Sequence, residues 1–360
     1  MNVQAKQRSG VLLCGYYGEH NLGDDALLQV LLQGLPAHLQ ATITANDLTV
    51  IQALAPKARI VNRRSLLETL CALRKVQALV LGGGSLLQDS TSFKSLIYYI
   101  LLIAAAHVRG LPVVLWGQGL GPLRNRFSRW IVRRVLRWVQ VISWRDPESF
   151  QVAQRWRLPM PMLMAPDPVW QLPCREWKGG GAVVLCWRPT SMLDRSGWQQ
   201  LIQALEMMLK DIDVPVHWLA FHKHQDGELF LDLERQGLIS SNLRSRSKTF
   251  VVGSVAEAME QFAMAKLVIP MRLHALILAQ LTGSPTVALS YDPKVSAAAA
   301  MADVPSMNLQ TLIDCRELVG LYKRTMDVPV NLDKIESIRV NASQHNKILR
   351  NFFGDRKSVV

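Results

Sequence analysis

The sequence predicts an α/β protein of two doubly wound, Rossmann-like domains, because short apolar runs alternate with longer helical patterns through both halves of the chain. At 360 residues, the chain is longer than one hydrophobic core usually serves. Its hydrophobic content of 49% is sufficient for two cores. We predict domains at residues 1–172 and 180–330, followed by a C-terminal helix and tail at residues 331–360.

Apolar runs typical of buried strands define the predicted sheets. In the first domain they lie at 11–15, 42–46, 79–84, 112–117 and 139–146, and in the second at 182–189, 215–221, 248–253, 267–272 and 285–291. QLPCREWKGGG at 171–181 has the proline, glycine and charge of a connector. Two such domains usually bind ligands in a central cleft, at the carboxyl ends of their strands. We therefore expect functional residues directly after strands.

The composition limits the cellular setting and the kind of partner. A net charge of +13 indicates an anionic partner. Five cysteines without a C-x-x-C spacing argue against a disulfide framework or a thiolate zinc site. The longest apolar stretch, 96–106, is about half the roughly 20 residues that a membrane-spanning helix needs. With no export signal in the first residues, we expect a cytoplasmic protein.

An arginine-rich segment at 124–137 holds six arginines and no acidic residue. A helix would place four arginines on one face and apolar side chains on the other. The arginine face consists of Arg126, Arg129, Arg133 and Arg137, and the apolar face of Ile131, Val132, Val135, Leu136 and Val139. A solvated helix face explains this pattern, but Trp130 among the arginines also fits peripheral contact with the inner face of the plasma membrane.

Two acidic residues follow the first strand, in GYYGEHNLGDDALL at 15–28. One of Asp24 and Asp25 would suffice to cap the next helix, so a second acid indicates an additional role. Asp89 follows a later strand, in LVLGGGSLLQDSTS at 79–92. These carboxylates are candidates for orienting or deprotonating a hydroxyl group.

A glycine-rich turn in the same segment comprises Gly82, Gly83 and Gly84, followed by Ser85. The glycines let backbone amides approach an oxygen-rich ligand, although a plain tight turn is equally compatible. Neither a G-x-G-x-x-G spacing nor a P-loop lysine is present, so the sequence predicts no dinucleotide or ATP cofactor.

Basic residues follow the strands of both domains. Arg145 ends one strand in SWRDPESF, where Asp146 could pair with it. Arg272 and His274 stand in IPMRLHALILA, where a strand gives way to a helix, and Lys294 follows the next strand in LSYDPKV. Together they would bind phosphate and carboxylate beside a histidine able to move a proton. A histidine before an apolar helix can also be a core residue.

Two further histidines, His222 and His224 in FHKHQD, are spaced i, i+2 without a clear third ligand. This spacing is too weak to predict a metal site, and we predict none.

Seven motifs in this order resemble the polysaccharide pyruvyl transferases of the CsaB type over about residues 11–300: GYYGEHNLGDDALL, LVLGGGSLLQDSTS, GQGLGPL, SWRDPESF, APDPVW, MRLHALILA and LSYDPKV. The resemblance implies a GT-B-like fold. It also implies transfer of a pyruvyl group from phosphoenolpyruvate to an (N-acetyl)hexosamine of a cell-wall polysaccharide precursor. The product would be a ketal and the acceptor lipid-linked.

By motif match, Arg145, Arg272, His274 and Lys294 occupy positions that the family associates with phosphoenolpyruvate, and the individual roles that follow are our hypothesis. Arg145, Arg272 and Lys294 would bind phosphoenolpyruvate, and His274 would protonate its methylene carbon. On the acceptor side, Asp24 and Asp89 would be catalytic. The predicted acceptor-binding residues are Gly82, Gly83, Gly84, Ser85 and Asp25.

Two other functions remain open. A glycosyltransferase using a nucleotide sugar would share the fold, although no clear acidic ribose clamp follows the glycine-rich turn of the second domain. A non-catalytic basic protein could bind nucleic acid or membrane through residues 124–137. RNP, zinc-finger and helix-turn-helix patterns are not evident, so we predict no nucleic-acid partner.

Overall fold

The computed structural model describes residues 10–90, 92–311, 313–326, 328 and 330–354. The chain forms two compact units. Within the described residues, the first unit comprises 10–19, 24–171 and 340–354, and the second comprises 20–23 and 172–339. Part of the predicted C-terminal tail, 355–360, lies outside the described residues.

The first unit contains a seven-stranded parallel sheet in the order β3-β2-β1-β4-β5-β6-β7. Its strands are β1 (Gly10–Tyr17), β2 (Gln40–Ala45), β3 (Arg59–Asn62), β4 (Ala78–Leu87), β5 (Val113–Leu120), β6 (Val141–Trp144) and β7 (Met162–Met164). The central strands β1 and β4 are buried almost throughout, as expected when helices cover both faces of a parallel sheet. This strand order is that of a Rossmann-type sheet.

One α-helix lies in each crossover between consecutive strands. These helices are α1 (Leu22–Gly34), α2 (Leu48–Leu54), α3 (Leu66–Leu73), α4 (Phe93–Val108), α5 (Arg126–Val135) and α6 (Pro147–Arg155). A 3₁₀ turn at Leu136–Trp138 continues α5, and another lies at Pro168–Gln171. Among the described residues, no helix is both long and apolar enough to cross a membrane.

The second unit has a four-stranded parallel sheet in the order β10-β9-β8-β11 and a two-stranded sheet of β12 and β13. Backbone hydrogen bonds of Val268 with Pro285 and Val287 join β11 to the chain entering β12. The strands are β8 (Val183–Cys186), β9 (Val216–Ala220), β10 (Ser247–Val251), β11 (Leu267–Pro270), β12 (Ala288–Ser290) and β13 (Ser306–Asn308). The structure thus confirms the predicted α/β class with parallel sheets in both units.

The helices of the second unit are α7 (Arg195–Leu209), α8 (Lys223–Asp226), α9 (Leu229–Arg235), α10 (Ser241–Arg246), α11 (Val255–Ala263), α12 (Leu273–Leu281), α13 (Pro293–Met301) and α14 (Cys315–Thr325). Side-chain oxygens cap several of them, such as Asp194 on α7 and Ser254 on α11, because an N-cap oxygen satisfies a free N–H of the first turn.

The C-terminal segment forms two helices, α15 (Leu332–Ala342) and α16 (Gln344–Gly354). The second helix packs on the first unit. Nε2 of His345 lies 2.9 Å from the carbonyl oxygen of Pro166, and Nδ2 of Asn346 donates to the carbonyl of Val30 at 3.3 Å. Gly34 lies so close to Asn346 that a Cβ atom there would be 2.4 Å from its Oδ1. This helix is therefore part of the core of the first unit.

Candidate functional site

Arg272 occupies the N-cap position of α12, two residues after β11. Its Nε and Nη2 donate to the two carboxylate oxygens of Asp226 at 3.2 and 2.5 Å, and Nη2 also donates to Oε1 of Gln225 at 2.9 Å. The Asp226 side chain is 1% exposed and that of Arg272 12%. Such a two-point contact fixes the plane of the guanidinium group.

Asp226, which the sequence analysis did not single out, ends the short helix α8 after β9. In addition to Arg272, it accepts a hydrogen bond from the backbone N–H of His222 at 2.8 Å. Three donors thus satisfy this buried carboxylate. The available signal in the sequence was its position at the end of FHKHQD, directly after a predicted strand.

His274 lies in the first turn of α12, and the backbone of Gly23 closely approaches its ring. A Cβ atom at position 23 would lie 2.0 Å from Nδ1 of His274, so only glycine permits this approach. Residues 20–23 belong to the second unit, where Leu22 N–H donates to the carbonyl of Phe221 and Lys223 N–H to that of His20, each at 3.1 Å. The loop after β1 therefore shapes the surroundings of His274.

The other predicted histidines lie beside this loop. His222 is 5% exposed, and within the described part of the chain neither of its ring nitrogens has a hydrogen-bond partner. Burial and the charge of Arg272 lower the pKa of His222, so its ring is neutral at neutral pH. The ring of His224 is 5.2 Å from that of His20. In the described residues, no group of three or more histidine, cysteine or acidic side chains could hold a metal ion.

Lys294 lies in the first turn of α13, after β12, and its backbone N–H donates to the capping carboxylate of Asp292 at 2.9 Å. Arg188 follows β8, and its Nη1 donates to the Tyr291 hydroxyl at 2.9 Å. Because β8, β11 and β12 follow one another across the parallel sheets, Arg188, Arg272, His274 and Lys294 all lie at the same strand-end edge. We call these four residues the basic edge.

In the first unit, the glycine-rich segment predicted as a turn lies within β4, with Gly83 and Gly84 at positive φ, +68° and +83°. The Tyr17 hydroxyl donates to the carbonyl of Gly82 at 2.6 Å, and Nε2 of Gln118 donates to that of Gly83 at 3.3 Å. A Cβ atom at Gly82 would collide with Tyr17, whereas one at Gly84 would meet little besides the Asp24 carboxylate at 3.6 Å. Side chains of the neighbouring strands β1 and β5 therefore fix this part of β4, and Gly84 faces Asp24.

Asp24 and Asp25 both lie in the first turn of α1 but have different surroundings. Asp24 is half-buried, whereas Asp25 is buried and its Oδ1 has no hydrogen-bond partner within the described residues. Burial, with the nearby charge of Asp24, raises the pKa of Asp25 to about 7, although a hydrogen bond from the Gly18 backbone opposes the shift. Of the two carboxylates, Asp24 is the more exposed.

Arg145 lies just after β6 and is paired within the first unit. Its Nη1 donates to Oδ2 of Asp167 at 2.9 Å and its Nη2 to Oγ of Ser85 at 3.3 Å. Asp146, which the sequence left open as a partner of Arg145, instead caps α6 and accepts hydrogen bonds from the Ser149 N–H and hydroxyl groups. Arg145 thus contacts a second predicted site residue, Ser85, and forms a buried ion pair with Asp167.

Asp89 holds the loop that precedes α5. Its two carboxylate oxygens accept hydrogen bonds from the backbone N–H groups of Arg124 and Asn125, at 2.7 and 2.9 Å. Slight desolvation is outweighed by these two backbone hydrogen bonds, so the pKa of Asp89 falls below its usual range. This geometry favours a positioning role over the proton-transfer role expected from the sequence.

A further polar cluster at the ends of β1, β2 and β3 was not predicted. Glu19 accepts from Nη1 of Arg63 at 2.5 Å and from Nδ2 of Asn46 at 3.2 Å. The Arg63 guanidinium also lies over the ring of Tyr16, 4.6 Å from its centroid. The pair of Glu19 and Arg63 ties the loop after β1 to the neighbouring strand ends, and nothing in their separate sequence positions indicated it.

The predicted site residues divide between the units. The first unit holds Asp24, Asp25, Gly82, Gly83, Gly84, Ser85, Asp89 and Arg145, and the second holds Arg272, His274 and Lys294. Within the first unit, the structure brings Arg145 to Ser85 and Asp24 to Gly84.

Two Rossmann-like units with charged groups at their strand ends are typical of proteins of the GT-B-like fold class. Similar solved structures include a putative UDP-N-acetylglucosamine 2-epimerase from Listeria monocytogenes, with a TM-score of 0.63, 10% identity and 98% of each chain covered. The UDP-GlcNAc 2-epimerase from Methanocaldococcus jannaschii has a TM-score of 0.66 at 10% identity, covering 95% of this chain and 98% of the other. Anabaena HepE, solved with UDP, has a TM-score of 0.59 at 11% identity, covering 97% of this chain and all of the other. At these identities the similarity establishes the fold.

The family follows from the sequence comparison. Residues 21–293 match the polysaccharide pyruvyl transferase family, and the chain belongs to it. A comparison with curated proteins gives no significant match.

Proposed function

We propose that the protein is a cytoplasmic, CsaB-type enzyme that transfers a pyruvyl group from phosphoenolpyruvate to an (N-acetyl)hexosamine of a cell-wall polysaccharide precursor. The product is a ketal, and phosphate is released. Membership of the pyruvyl transferase family supports the reaction class. The observation that carries the choice of donor is the basic edge of the second unit, with Arg272 held in a fixed orientation by Asp226.

Phosphoenolpyruvate carries up to three negative charges on a small body, so it needs several fixed cations. Arg272 is already oriented, which reduces the ordering cost of binding an anion. Lys294 adds a second cation at the same edge. We also propose that Arg145 binds phosphoenolpyruvate. This assignment rests on the family resemblance, because Asp167 already balances the charge of Arg145 within the first unit.

The proposed reaction begins when His274, as imidazolium, donates a proton to the methylene carbon of phosphoenolpyruvate. A sugar hydroxyl adds to C2 and loses its proton. The C2–O bond to phosphate then breaks, and a second hydroxyl of the same sugar adds to C2 and loses its proton in turn. The methylene becomes a methyl group, C2 becomes the ketal carbon, and inorganic phosphate carries away the bridging oxygen. Cations around the leaving phosphate stabilise its developing charge.

On the acceptor side, we propose that Gly82, Gly83, Gly84, Ser85 and Asp25 line the sugar site. The half-buried Asp24 beside Gly84 is the base that accepts a hydroxyl proton. Asp25, with its pKa raised to about 7, starts partly protonated and can donate a hydrogen bond to a sugar oxygen. Asp89 holds the loop before α5 instead of transferring a proton.

The first experiment measures phosphate release from phosphoenolpyruvate with a panel of lipid-linked and free N-acetylhexosaminyl acceptors. We expect release that depends on the acceptor and is lost in Arg272→Ala. Arg235→Ala, which removes an exposed arginine of the same unit, is the matched control and should retain activity. Turnover of a nucleotide sugar without any phosphate release from phosphoenolpyruvate would instead establish the glycosyltransferase alternative.

The proton-donor role of His274 has a separate test. His274→Gln should bind phosphoenolpyruvate with an affinity close to that of the wild type but turn over at least about a hundredfold more slowly, as expected for a lost general acid. Direct binding by calorimetry and single-turnover kinetics measure the two properties. Near-normal turnover in this variant would show that another group delivers the proton.

A further inference from the structure

The exposed side of α5 and the following 3₁₀ turn form a continuous basic surface on the first unit, which we call the arginine surface. Its exposed members are Arg124, Arg126, Phe127, Arg129, Trp130, Arg133, Arg134 and Arg137. Between residues 90 and 145 the sequence has nine basic residues and not one aspartate or glutamate. Among the described residues, no acidic side chain forms an ion pair with these six arginines. Their charge therefore remains available to an external anion.

The helix is firmly attached by its other side. Ser128, Val132 and Val135 are buried, and Asn125 caps the helix through a hydrogen bond to the N–H of Phe127. Asp89 holds the two backbone N–H groups just before the helix. Of the predicted apolar face, Leu136 and Val139 are also buried and Ile131 is half-buried. The core thus fixes the helix without using the arginines.

Two aromatic side chains project from the same exposed side. Phe127 is 52% exposed and Trp130 56%, with ring centroids 6.0 Å apart and planes 24° from parallel. The guanidinium group of Arg134 lies 5.7 Å from the centre of the Trp130 ring. Exposed aromatic rings among arginines match the composition of helices that lie in a lipid headgroup region, where the ring enters the acyl boundary and the cations meet phosphate.

The neighbouring helix favours a bilayer over a nucleic acid. Helix α4 packs against α5 and the 3₁₀ turn, with His107 stacked on Trp138 at 4.8 Å. It exposes Leu101 and Val108, which are 44% and 83% accessible. These aliphatic side chains lie seven residues apart, on one face of α4. Burial of these side chains in a bilayer is favourable because it removes apolar surface from water, whereas a charged nucleic acid backbone provides no apolar surface to contact them.

We propose that the arginine surface docks the protein on an anionic lipid bilayer, with Phe127 and Trp130 inserted at the headgroup level. The docking rests on the geometry of α4 and α5 and does not depend on the proposed function. Its use, to bring the enzyme to a lipid-linked sugar acceptor, rests on the proposed function.

Co-sedimentation with vesicles of phosphatidylcholine, with and without phosphatidylglycerol, tests the proposal over a range of salt concentrations. We expect binding only to the anionic vesicles, weakening as salt rises. The triple variant Arg126→Gln, Arg129→Gln, Arg133→Gln should bind about a hundredfold more weakly, because each basic residue near an anionic surface contributes about 1 kcal/mol. Trp130→Ala should also weaken binding with no change of charge.

The matched control is Arg74→Gln, Lys75→Gln, Arg155→Gln, which removes three exposed charges elsewhere on the first unit. Equal loss of binding in this control would show that net charge alone is responsible, and equal binding of both vesicle types would also overturn the proposal. Tight binding to single-stranded nucleic acid without vesicle binding would assign the surface to that partner.

Phosphate release with a lipid-free acceptor separates this proposal from the enzyme assignment. The arginine-surface variants should retain that activity and lose turnover only with an acceptor carried in vesicles. If no variant, wild type included, releases phosphate while vesicle binding persists, the proposed function is wrong and the docking surface stands.

Discussion

Asp226 holds Arg272 through both carboxylate oxygens, across 46 residues of sequence, in a pair that is almost completely buried. This buried two-point contact holds the two side chains in a fixed relative orientation. Nε and Nη2 of the guanidinium group face Asp226, and the N–H groups on Nη1 remain to donate to an anion. We regard Asp226 as a positioning residue that prepares Arg272 before any substrate arrives.

Replacing Asp226 with asparagine should remove the ionic two-point contact that orients the guanidinium group of Arg272. We expect the KM for phosphoenolpyruvate to rise at least about tenfold with a smaller change in kcat, since orientation of the cation acts mainly on binding. Steady-state kinetics at fixed acceptor measure both. Asp232→Asn, which disturbs an exposed ion pair with Arg235, should change neither, and a wild-type KM in Asp226→Asn would disprove the positioning role.

Alanine at position 23 should displace His274, because its Cβ atom would lie 2.0 Å from Nδ1 of the imidazole in the present geometry. A shift of about 1 Å in a catalytic group can reduce the rate about a hundredfold. We expect this loss in kcat, with phosphoenolpyruvate affinity much less affected. Gly253→Ala is the control, since no atom lies within 3.4 Å of its added Cβ. Equal activity of the two variants would show that the loop yields without moving the histidine.

Asp25 should make folding stability fall as pH rises. Its pKa is raised to about 7 in the folded protein from 3.8, so the folded state holds the proton more tightly than the unfolded state. The stabilisation is therefore complete below pH 4 and is lost as pH rises toward 7. Asp25→Asn should match the wild type near pH 4 and exceed it above pH 7, by up to about 4 kcal/mol. Urea unfolding across this range measures the difference, with Asp213→Asn as an exposed control.

His345 should make the folding stability fall as pH decreases, the opposite of the effect of Asp25. Burial in the first unit lowers its pKa from 6.5 to about 4, so the unfolded state takes up a proton first as pH falls. Stability present above pH 6.5 is then lost between 6.5 and 4. His345→Gln should flatten this part of the stability profile relative to the wild type, while His38→Gln, at an exposed position, should follow the wild type. Parallel profiles for all three proteins would exclude His345 as the source.

Much of the framework could be predicted from the sequence, because buried parallel strands are continuous apolar runs. Each predicted strand overlaps a strand of the structure, and Arg145, Arg272 and Lys294 follow strands as expected. The strands that were missed, β3, β7 and β13, have only three or four residues and no distinctive apolar run. At that length, neighbouring strands decide whether the segment pairs.

The partners of the site residues were harder to predict. Asp146 is adjacent to Arg145 in sequence, yet the geometry of a helix start directs it to the backbone of α6, and Asp167 from the next strand end takes its place. Similarly, Asp226 reaches Arg272 because β8 alone lies between β9 and β11 in the sheet. The order of the strands in each sheet determines both the Arg145–Asp167 and the Asp226–Arg272 pairs, and this order cannot be deduced from a single sequence.

The packing of α16 on the first unit also affects how the chain can fold during synthesis. The second unit is almost wholly continuous in sequence, from 172 to 339, whereas the first unit needs residues 340–354 to cover Val30 and Pro166. A ribosome therefore releases the complete second unit before it releases the last helix of the first. The amino-terminal sheet, although made first, would reach its final packing last, so it is the part of the nascent chain most in need of protection from aggregation.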